Sequence, residues 1–149
     1  MRALREMVGL PVLKDGACIG HVLCGQTDPE LKRLTGIWVS AGWMGARRID
    51  RRHVNRIGDV AVLVTDRGRR GKTPTQPFFY RAVSTDGSRL GAIVDAEVDG
   101  NDLSLRALWL TRGYPDDLLR GRQRITKYAV RATDGTVLVL EGEEGKSDE

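Results

Sequence analysis

Short hydrophobic runs separated by glycine, proline and Asp-Gly turns predict a protein built from β-strands. Cys18 to Thr27 and Leu34 to Ser40 carry the β-branched and aromatic residues that strands favour. Val60 to Val64 is apolar throughout, so we expect it to form a fully buried strand. Asp15-Gly16 lies between two strand-like runs and predicts a hairpin, because an Asp-Gly pair tolerates the positive φ angles of a tight turn. Asp50 predicts the N-cap of one helical turn that ends at Val54. The pattern indicates an all-β unit with one short helical turn.

This unit occurs twice in the chain. A shift of 71 residues aligns identical residues along the whole unit, and Gly20 inside the second strand returns as Gly91. A glycine inside a strand marks a bulge or a tight corner, so we expect one at both positions. Self-similarity of this kind indicates a duplicated domain. The identical pairs are Asp15 and Asp86, Gly16 and Gly87, Gly20 and Gly91, Asp28 and Asp99, Leu34 and Leu105, Trp38 and Trp109, and Gly42 and Gly113.

The duplication predicts four segments. The first unit covers residues 1–65, a basic linker rich in glycine and proline covers 66–77, and the second unit covers 78–141. Residues 142–149 form an acidic tail. After Gly113 the second unit departs from the first, and several extra residues precede Arg124-Ile125, which matches Arg48-Ile49. Since cores of such small units are thin, we expect each unit to pack on its copy or on a second chain.

The order of these features resembles the PRC-barrel family. A short strand, Asp-Gly, an Ile-Gly step, an Asp-Pro turn, an apolar strand ending in glycine, a Trp-Met-Gly loop and an Ile-Gly-Asp-Val-Ala-Val segment follow one another as in that small β-barrel. The resemblance implies two tandem PRC-type barrels, each with one short helical turn. It further implies a non-enzymatic adaptor or scaffold in the assembly of a larger complex, in a process such as ribosome maturation, cell division or sporulation.

No catalytic, metal or cofactor site is expected from the residues. His21 and His53 lie in different predicted elements, and each aligns with or near an alanine in the second copy. Cys18 and Cys24 are the only cysteines, and their spacing along one strand indicates structural thiols. We therefore predict no enzyme activity, no cofactor and no metal ion.

A phosphate-binding loop is also not expected, although Gly68 to Thr73 has the composition of one. That motif needs a glycine where this chain has Asp66, whose charge repels phosphate. It also needs a following helix, which Pro74 prevents.

The net charge of +4 is unevenly distributed, with a basic stretch from Arg47 to Lys72 and an acidic C-terminal end. Such asymmetry favours an acidic partner, or is simply a solvated surface. Trp38 and Trp109 share one repeat position on a partly polar strand face, which is typical of interface anchors and equally of residues that cover a barrel end. The interface candidates are Trp38, Trp109, Trp43, Met44, Arg47, Arg48, Arg51 and Arg52.

The expected partner is a protein, and a second copy of this chain is a further candidate. An RNA- or ribosome-associated factor that uses the basic region Arg47–Lys72 is the alternative, with a small-molecule sensor as the third hypothesis. No apolar run approaches the roughly 20 residues that a spanning helix needs, so we expect no membrane span. The N-terminal residues lead directly into strand-like sequence without a signal peptide, which favours the cytoplasm.

Overall fold

A computed structural model of the 149-residue chain describes residues 1–75, 78–113 and 121–140. Strands dominate these residues, so the predicted all-β class is confirmed. Two 3₁₀ turns, Gly42–Met44 and Arg51–His53, accompany the regular elements. In chain order those elements are β1 (Arg2–Ala3), α1 (Leu4–Met7), β2 (Pro11–Lys14), β3 (Ala17–Thr27), β4 (Leu34–Ser40), β5 (Ala46–Asp50), β6 (Val54–Ile57), β7 (Val62–Val64), β8 (Arg69–Gly71), β9 (Tyr80–Val83), β10 (Arg89–Val98), β11 (Leu105–Thr111), β12 (Gln123–Ile125), β13 (Tyr128–Arg131) and β14 (Thr136–Val139).

The chain divides into two compact units. The first comprises Met1–Gln76 together with Val98–Leu105. The second comprises Pro77–Glu97 together with Arg106–Glu149. The turn between β10 and β11 thus belongs to the first unit, although the sequence places it inside the second copy.

Backbone hydrogen bonds tie that turn into the first unit. The N–H of Leu34 donates to the carbonyl of Leu103 at 2.8 Å, and the N–H of Ile57 donates to the carbonyl of Gly100 at 2.9 Å. A Cβ at Gly100 would overlap the Ile57 carbonyl oxygen, so this approach requires glycine. The second repeat therefore supplies a segment that completes the first unit.

The duplication is present in the strand order of two sheets. One sheet follows the order β6-β7-β2-β3-β4-β5-β8, and the other contains the run β13-β14-β9-β10-β11-β12. Each contains a parallel pair, β2 with β7 in the first copy and β9 with β14 in the second. β4 and β11 correspond residue for residue under the 71-residue shift. The strands β2–β7 and β9–β14 therefore follow the same order in the two copies, and β8 continues the first sheet beyond β5.

Gly20 and Gly91 mark equivalent bulges. The register of each strand shifts beside its glycine, where φ is 158° at Gly20 and 149° at Gly91. A Cβ would overlap the carbonyl oxygen of Ser40 in the first copy and of Thr111 in the second. The bulges predicted at the two glycines are confirmed.

Both Asp-Gly hairpins form, but their loops differ in length. In the first copy Asp15 and Gly16 have φ angles of 52° and 81°, as a two-residue type I′ turn requires. In the second copy the N–H of Ser84 donates to the carbonyl of Ser88 at 2.9 Å, and Gly87 takes the positive φ of 87°. The loop closed by Ser84 and Ser88 therefore has three residues, one more than the first loop.

The inner faces of the two copies are apolar, as the alternation predicts. Ile37 and Val39 on β4, and Leu108 and Leu110 on β11, are no more than 2% exposed. The expectation of a fully buried strand from Val60 to Val64 is wrong. Val60 is 78% exposed, and β7 begins at Val62 and is covered on one face only.

The predicted helical turn is confirmed in the first copy. The Asp50 carboxylate accepts from the N–H of Arg52 at 3.1 Å and caps the 3₁₀ turn that follows. In the second copy Thr126 and Lys127 join β12 to β13 without a helical turn. Two residues are too few to form one, so the second turn is not found at this place.

The stretch 66–77, expected to be a linker, contains β8, which pairs with β5. Residues 76–77 and 114–120 lie outside the described part of the chain. The acidic tail predicted at 142–149 also lies outside it.

Candidate interaction surface

Seven of the eight predicted interface residues lie on consecutive elements of the first unit. Trp38 is on β4 and the two neighbouring arginines, Arg47 and Arg48, are on β5. Trp43 and Met44 lie in the 3₁₀ turn between these strands, and the remaining two arginines lie in the turn after β5. The eighth residue, Trp109, lies on β11 in the second unit.

Trp38 packs within its own sheet. Its side chain is 7% exposed, and its Nε1 donates to Oε1 of Gln26 at 3.1 Å. Arg48 pairs with Trp38 across β4 and β5, and donates from Nε to the same oxygen at 2.8 Å. A Cβ at Gly71 would lie 2.9 Å from the Trp38 ring, so β8 runs directly against it. This leaves little of the Trp38 ring for a partner.

Arg48 is hydrogen-bonded but only partly neutralised. It donates to the carbonyl of Thr35 at 3.2 Å and lies 3.5 Å from the Asp50 carboxylate. In the described part of the chain, Asp50 is the one carboxylate paired with Arg48. The backbone N–H of Arg52 holds the pKa of Asp50 below its ordinary value, so this carboxylate stays ionised at neutral pH.

β8 brings two further arginines to this region. It places Arg69 opposite Arg48 and Arg70 opposite Arg47. Like charges directly opposite each other destabilise a sheet. Arg47 is held by the carbonyl of Gly68, to which its Nη1 donates at 3.0 Å. The side chains of Arg69 and Arg70 are exposed and make no hydrogen bond or ion pair with the described residues.

The loop between β4 and β5 presents the most exposed tryptophan. Trp43 is 93% exposed and Met44 is 39% exposed. Gly42 and Gly45 flank them with φ angles of 63° and 86°, and these positive φ values permit the tight turn that carries the two side chains. The first residue of β5 pairs with Gly71, so the turn lies beside the end of β8.

The exposed aromatic turn thus lies beside β8, whose cationic side chains have no partner among the described residues. Lys72 follows β8 on the side of the turn, and its amine also has no partner in residues 1–75, 78–113 and 121–140. We call this region the basic edge surface; it consists of Trp43, Met44, Arg69, Arg70 and Lys72.

Arg51 and Arg52 have different surroundings. Arg51 donates from Nη2 to the carbonyl of Asp102 at 3.1 Å, within the turn that completes the first unit. Arg52 is exposed, and its Nε lies 3.3 Å from Nε2 of His53 and 4.0 Å from the Asp50 carboxylate. Arg51 therefore holds a structural turn, and Arg52 remains on the surface beside the cap.

The second unit repeats the Trp–Arg pair, but a glutamate contacts the arginine where the first unit has Gln26. Trp109 pairs with Arg124 across β11 and β12. Arg124 donates from Nε and Nη2 to the two carboxylate oxygens of Glu97, both at 3.0 Å. These hydrogen bonds raise the pKa of Arg124. The 71-residue shift aligns Glu97 with Gln26, so each copy places one polar side chain at the same arginine.

Sequence reasoning missed Gln26 and Glu97. The signal was available in the repeat, because both residues follow the same strand position. The pair is not conspicuous in the repeat, because glutamine and glutamate differ in charge.

Metal and thiol chemistry find no site in the described residues. No group of three or more His, Cys, Asp or Glu side chains is arranged to hold a metal ion there. Cys18 is exposed and Cys24 is half-buried, and burial raises the pKa of the Cys24 thiol. Across residues 1–75, 78–113 and 121–140, each helix is too short or too polar to span a bilayer.

One cavity of about 450 Å³ in the second unit bears on the sensor hypothesis. Apolar residues of β9, β13 and β14 line most of it, among them Val83, Val130 and Leu138. Its charged group, Arg131, donates to both oxygens of Asp134 at 3.2 and 2.7 Å. Because that guanidinium is already paired, the cavity offers little polar chemistry to orient a ligand.

Comparisons with known proteins assign no family to this arrangement. A scan of the chain against protein-family models finds no match. A search of curated proteins also finds none. The function is therefore argued from the basic edge surface itself.

Proposed function

We propose that this chain is a non-enzymatic adaptor, built from two tandem PRC-type barrels, that binds a protein partner through the basic edge surface. The observation that carries the proposal is the side chain of Trp43, 93% exposed beside a strand whose cationic side chains have no partner among the described residues. The shared strand order of the two copies supports the tandem architecture.

The composition of the basic edge surface is that of a protein interface. Tryptophan, methionine and arginine are enriched at the centres of interfaces, where a few such residues supply most of the binding energy. Trp43 meets this description because its indole has no covering residue, and Met44 adds adaptable apolar area beside it. Trp38 and Trp109 fit less well, since one is buried and the other half-buried.

A pull-down from native lysate tests the proposal. The tagged full chain is incubated with nuclease-treated and untreated halves of the lysate, and retained proteins are identified by mass spectrometry. The adaptor proposal predicts that the same proteins are retained from both halves. A Trp43→Ser bait should retain about thirtyfold less, because truncating an interface anchor costs about 2 kcal/mol and every 1.4 kcal/mol is about tenfold in affinity.

The matched control is the stability of the same variant. Since Trp43 is exposed, Trp43→Ser should change the free energy of unfolding by less than about 0.5 kcal/mol. Retained proteins that disappear after nuclease treatment would overturn the adaptor proposal, as would full retention by the Trp43→Ser bait.

A second candidate function is RNA association, which the surplus of arginine favours. Arg56 and Arg67 join the three cations of the basic edge surface in having no partner among the described residues. Trp43, in the turn beside the end of β8, offers an exposed ring on which a base can stack. Binding of a short oligouridine should then weaken steeply and log-linearly with salt, because neutralised phosphates release counterions. This result, together with nuclease-sensitive retention, would support the RNA function in place of the adaptor.

A further inference from the structure

β8 is an open edge. It ends its sheet, with β5 on one side and no strand on the other among the described residues. Its three residues are exposed, and the backbone hydrogen bonds outside regular elements include none from Arg69, Arg70 or Gly71. An edge of this kind presents unpaired N–H and C=O groups, which another extended chain can satisfy.

Two glycines hold this edge in place. At Gly68, whose φ is 83°, an added Cβ would lie 2.5 Å from the Arg48 carbonyl oxygen and 2.8 Å from the Ile49 side chain. At Gly71 it would meet the Trp38 ring at 2.9 Å. Glycine at these two positions therefore lets β8 lie closer to β5 and to the Trp38 ring than a residue with a Cβ would allow. This close packing holds the edge strand in a defined position.

The charges on β8 select what can pair with it. A short length and basic side chains protect an edge against another basic or neutral strand, including β8 of a second copy. The same arginines attract a strand that carries carboxylates. Opposite-charge cross-strand pairs stabilise a sheet, whereas the present Arg48–Arg69 and Arg47–Arg70 pairs are like-charged. An incoming acidic strand would relieve this repulsion.

We infer that β8 accepts an extended acidic segment of a partner protein as an additional strand, with Trp43 packing against that segment at its end. The inference rests on the adaptor proposal and specifies the chemistry of the partner. Backbone pairing supplies affinity for an extended chain, and the arginines supply selection for carboxylates. A nucleic acid would use the arginines but not the open backbone groups, so the edge geometry favours the peptide.

Three probes test the inference on the full chain. The first is a short, end-blocked peptide of alternating Glu and Thr, in which Glu supplies carboxylates and the β-branched Thr favours an extended strand. The second replaces each Thr by Pro, which keeps the charge but removes every second N–H and disfavours a strand. The third is a single-stranded oligouridine. Affinity is measured by calorimetry, and amide hydrogen exchange of Arg69–Gly71 reports strand pairing.

The Glu-Thr peptide should bind and slow exchange at β8, and the Glu-Pro peptide should bind at least about tenfold more weakly. The double variant Arg69→Ser/Arg70→Ser should lose binding. Its matched control is Arg56→Ser/Arg89→Ser, which removes the same charge from two exposed arginines that have no partner among the described residues, and it should bind as the wild type does.

Equal binding of the Glu-Thr and Glu-Pro peptides would overturn strand addition, as would binding of oligouridine alone. If neither peptide binds while nuclease-treated lysate still yields the same retained proteins, the inference is wrong and the adaptor proposal stands. If lysate proteins are also lost, both fail.

Discussion

The two copies differ in the polar side chain that contacts the arginine beside the repeated tryptophan. In the second unit, Arg124 faces a glutamate, Glu97, and the pair forms two hydrogen bonds of 3.0 Å. In the first unit, Arg48 faces a glutamine, Gln26, through a single 2.8 Å hydrogen bond that brings no negative charge. In the first unit β8 also places Arg69 opposite Arg48.

Under the proposed function, this difference gives one copy a structural role and the other an interaction role. One copy neutralises the arginine beside its tryptophan within the chain. The other leaves a basic surplus, adds more arginine on an open edge and places the exposed Trp43 next to it. The proposed partner binding therefore falls to the first copy.

Replacing each of the two aligned tryptophans by alanine should give the largest difference in stability loss between the copies. Trp38 is 7% exposed and Trp109 is half-buried. Trp38→Ala should lower the free energy of unfolding by about 3–5 kcal/mol, because it leaves a cavity under β8, and Trp109→Ala should lower it by less. Urea denaturation measures both. Equal losses, or no loss at Trp38, would contradict the packing described for the first copy.

The bulge glycines should make the copies behave alike. Gly20→Ala and Gly91→Ala each force a Cβ into a facing carbonyl oxygen, so each should cost about 2–3 kcal/mol. Gly87→Ala is the control, since its φ is positive but no atom lies within 4 Å, and it should cost only about 1 kcal/mol. Thermal unfolding of the three variants compares them. A tolerated alanine at one bulge would mean that the copies are not equivalent there.

Exchanging the polar partners of the two arginines should remove a negative charge from the second copy and add one to the first. Glu97→Gln should cost about 1 kcal/mol, because the partly exposed Arg124 loses its ionised acceptor. Gln26→Glu should stabilise the first copy by up to about 0.5 kcal/mol at low salt. It should also weaken binding of the Glu-Thr peptide, because Arg48 gains a carboxylate of its own. Unchanged stability in Glu97→Gln would show that the ion pair contributes nothing.

The smallest expected effect is a pH dependence in the second hairpin. The Ser84 hydroxyl and the Ser88 N–H both donate to Asp86, and they lower the pKa of Asp86 to about 2. Because the folded pKa is depressed below its unfolded value of about 4, the carboxylate stabilises the fold above that value. This contribution is lost as the pH falls through about 2. An NMR titration of the Asp86 carboxyl should show that midpoint, and a midpoint near 4 would contradict the turn geometry.

The sequence predicts the repeated framework well because each feature has a local cause. β4 spans Leu34–Ser40 as predicted, since its Ile, Trp and Val residues favour a strand. Gly20 and Asp50 occupy the bulge and the cap that their residue types require. The structure contains these predicted features because each depends on the backbone conformation or burial of a single position.

β8 was not predictable in the same way. Residues 68–72 contain arginine, lysine and glycine only, with no residue type that favours strands. The strand forms because β5 offers an open edge and because Gly68 and Gly71 permit a close approach. Such a pairing depends on tertiary context, and the same context decides that Trp38 is covered while Trp43 is exposed.

The most direct test of the central claim is the retention of lysate proteins by the triple variant Trp43→Ala/Arg69→Ser/Arg70→Ser, measured in nuclease-treated lysate against wild type and Arg56→Ser/Arg89→Ser. Circular dichroism first verifies that all three proteins are folded. If the basic edge surface binds the partner, the triple variant loses the proteins that the wild type and the control both retain. Equal retention by all three would contradict the assignment of partner binding to this edge of the first copy.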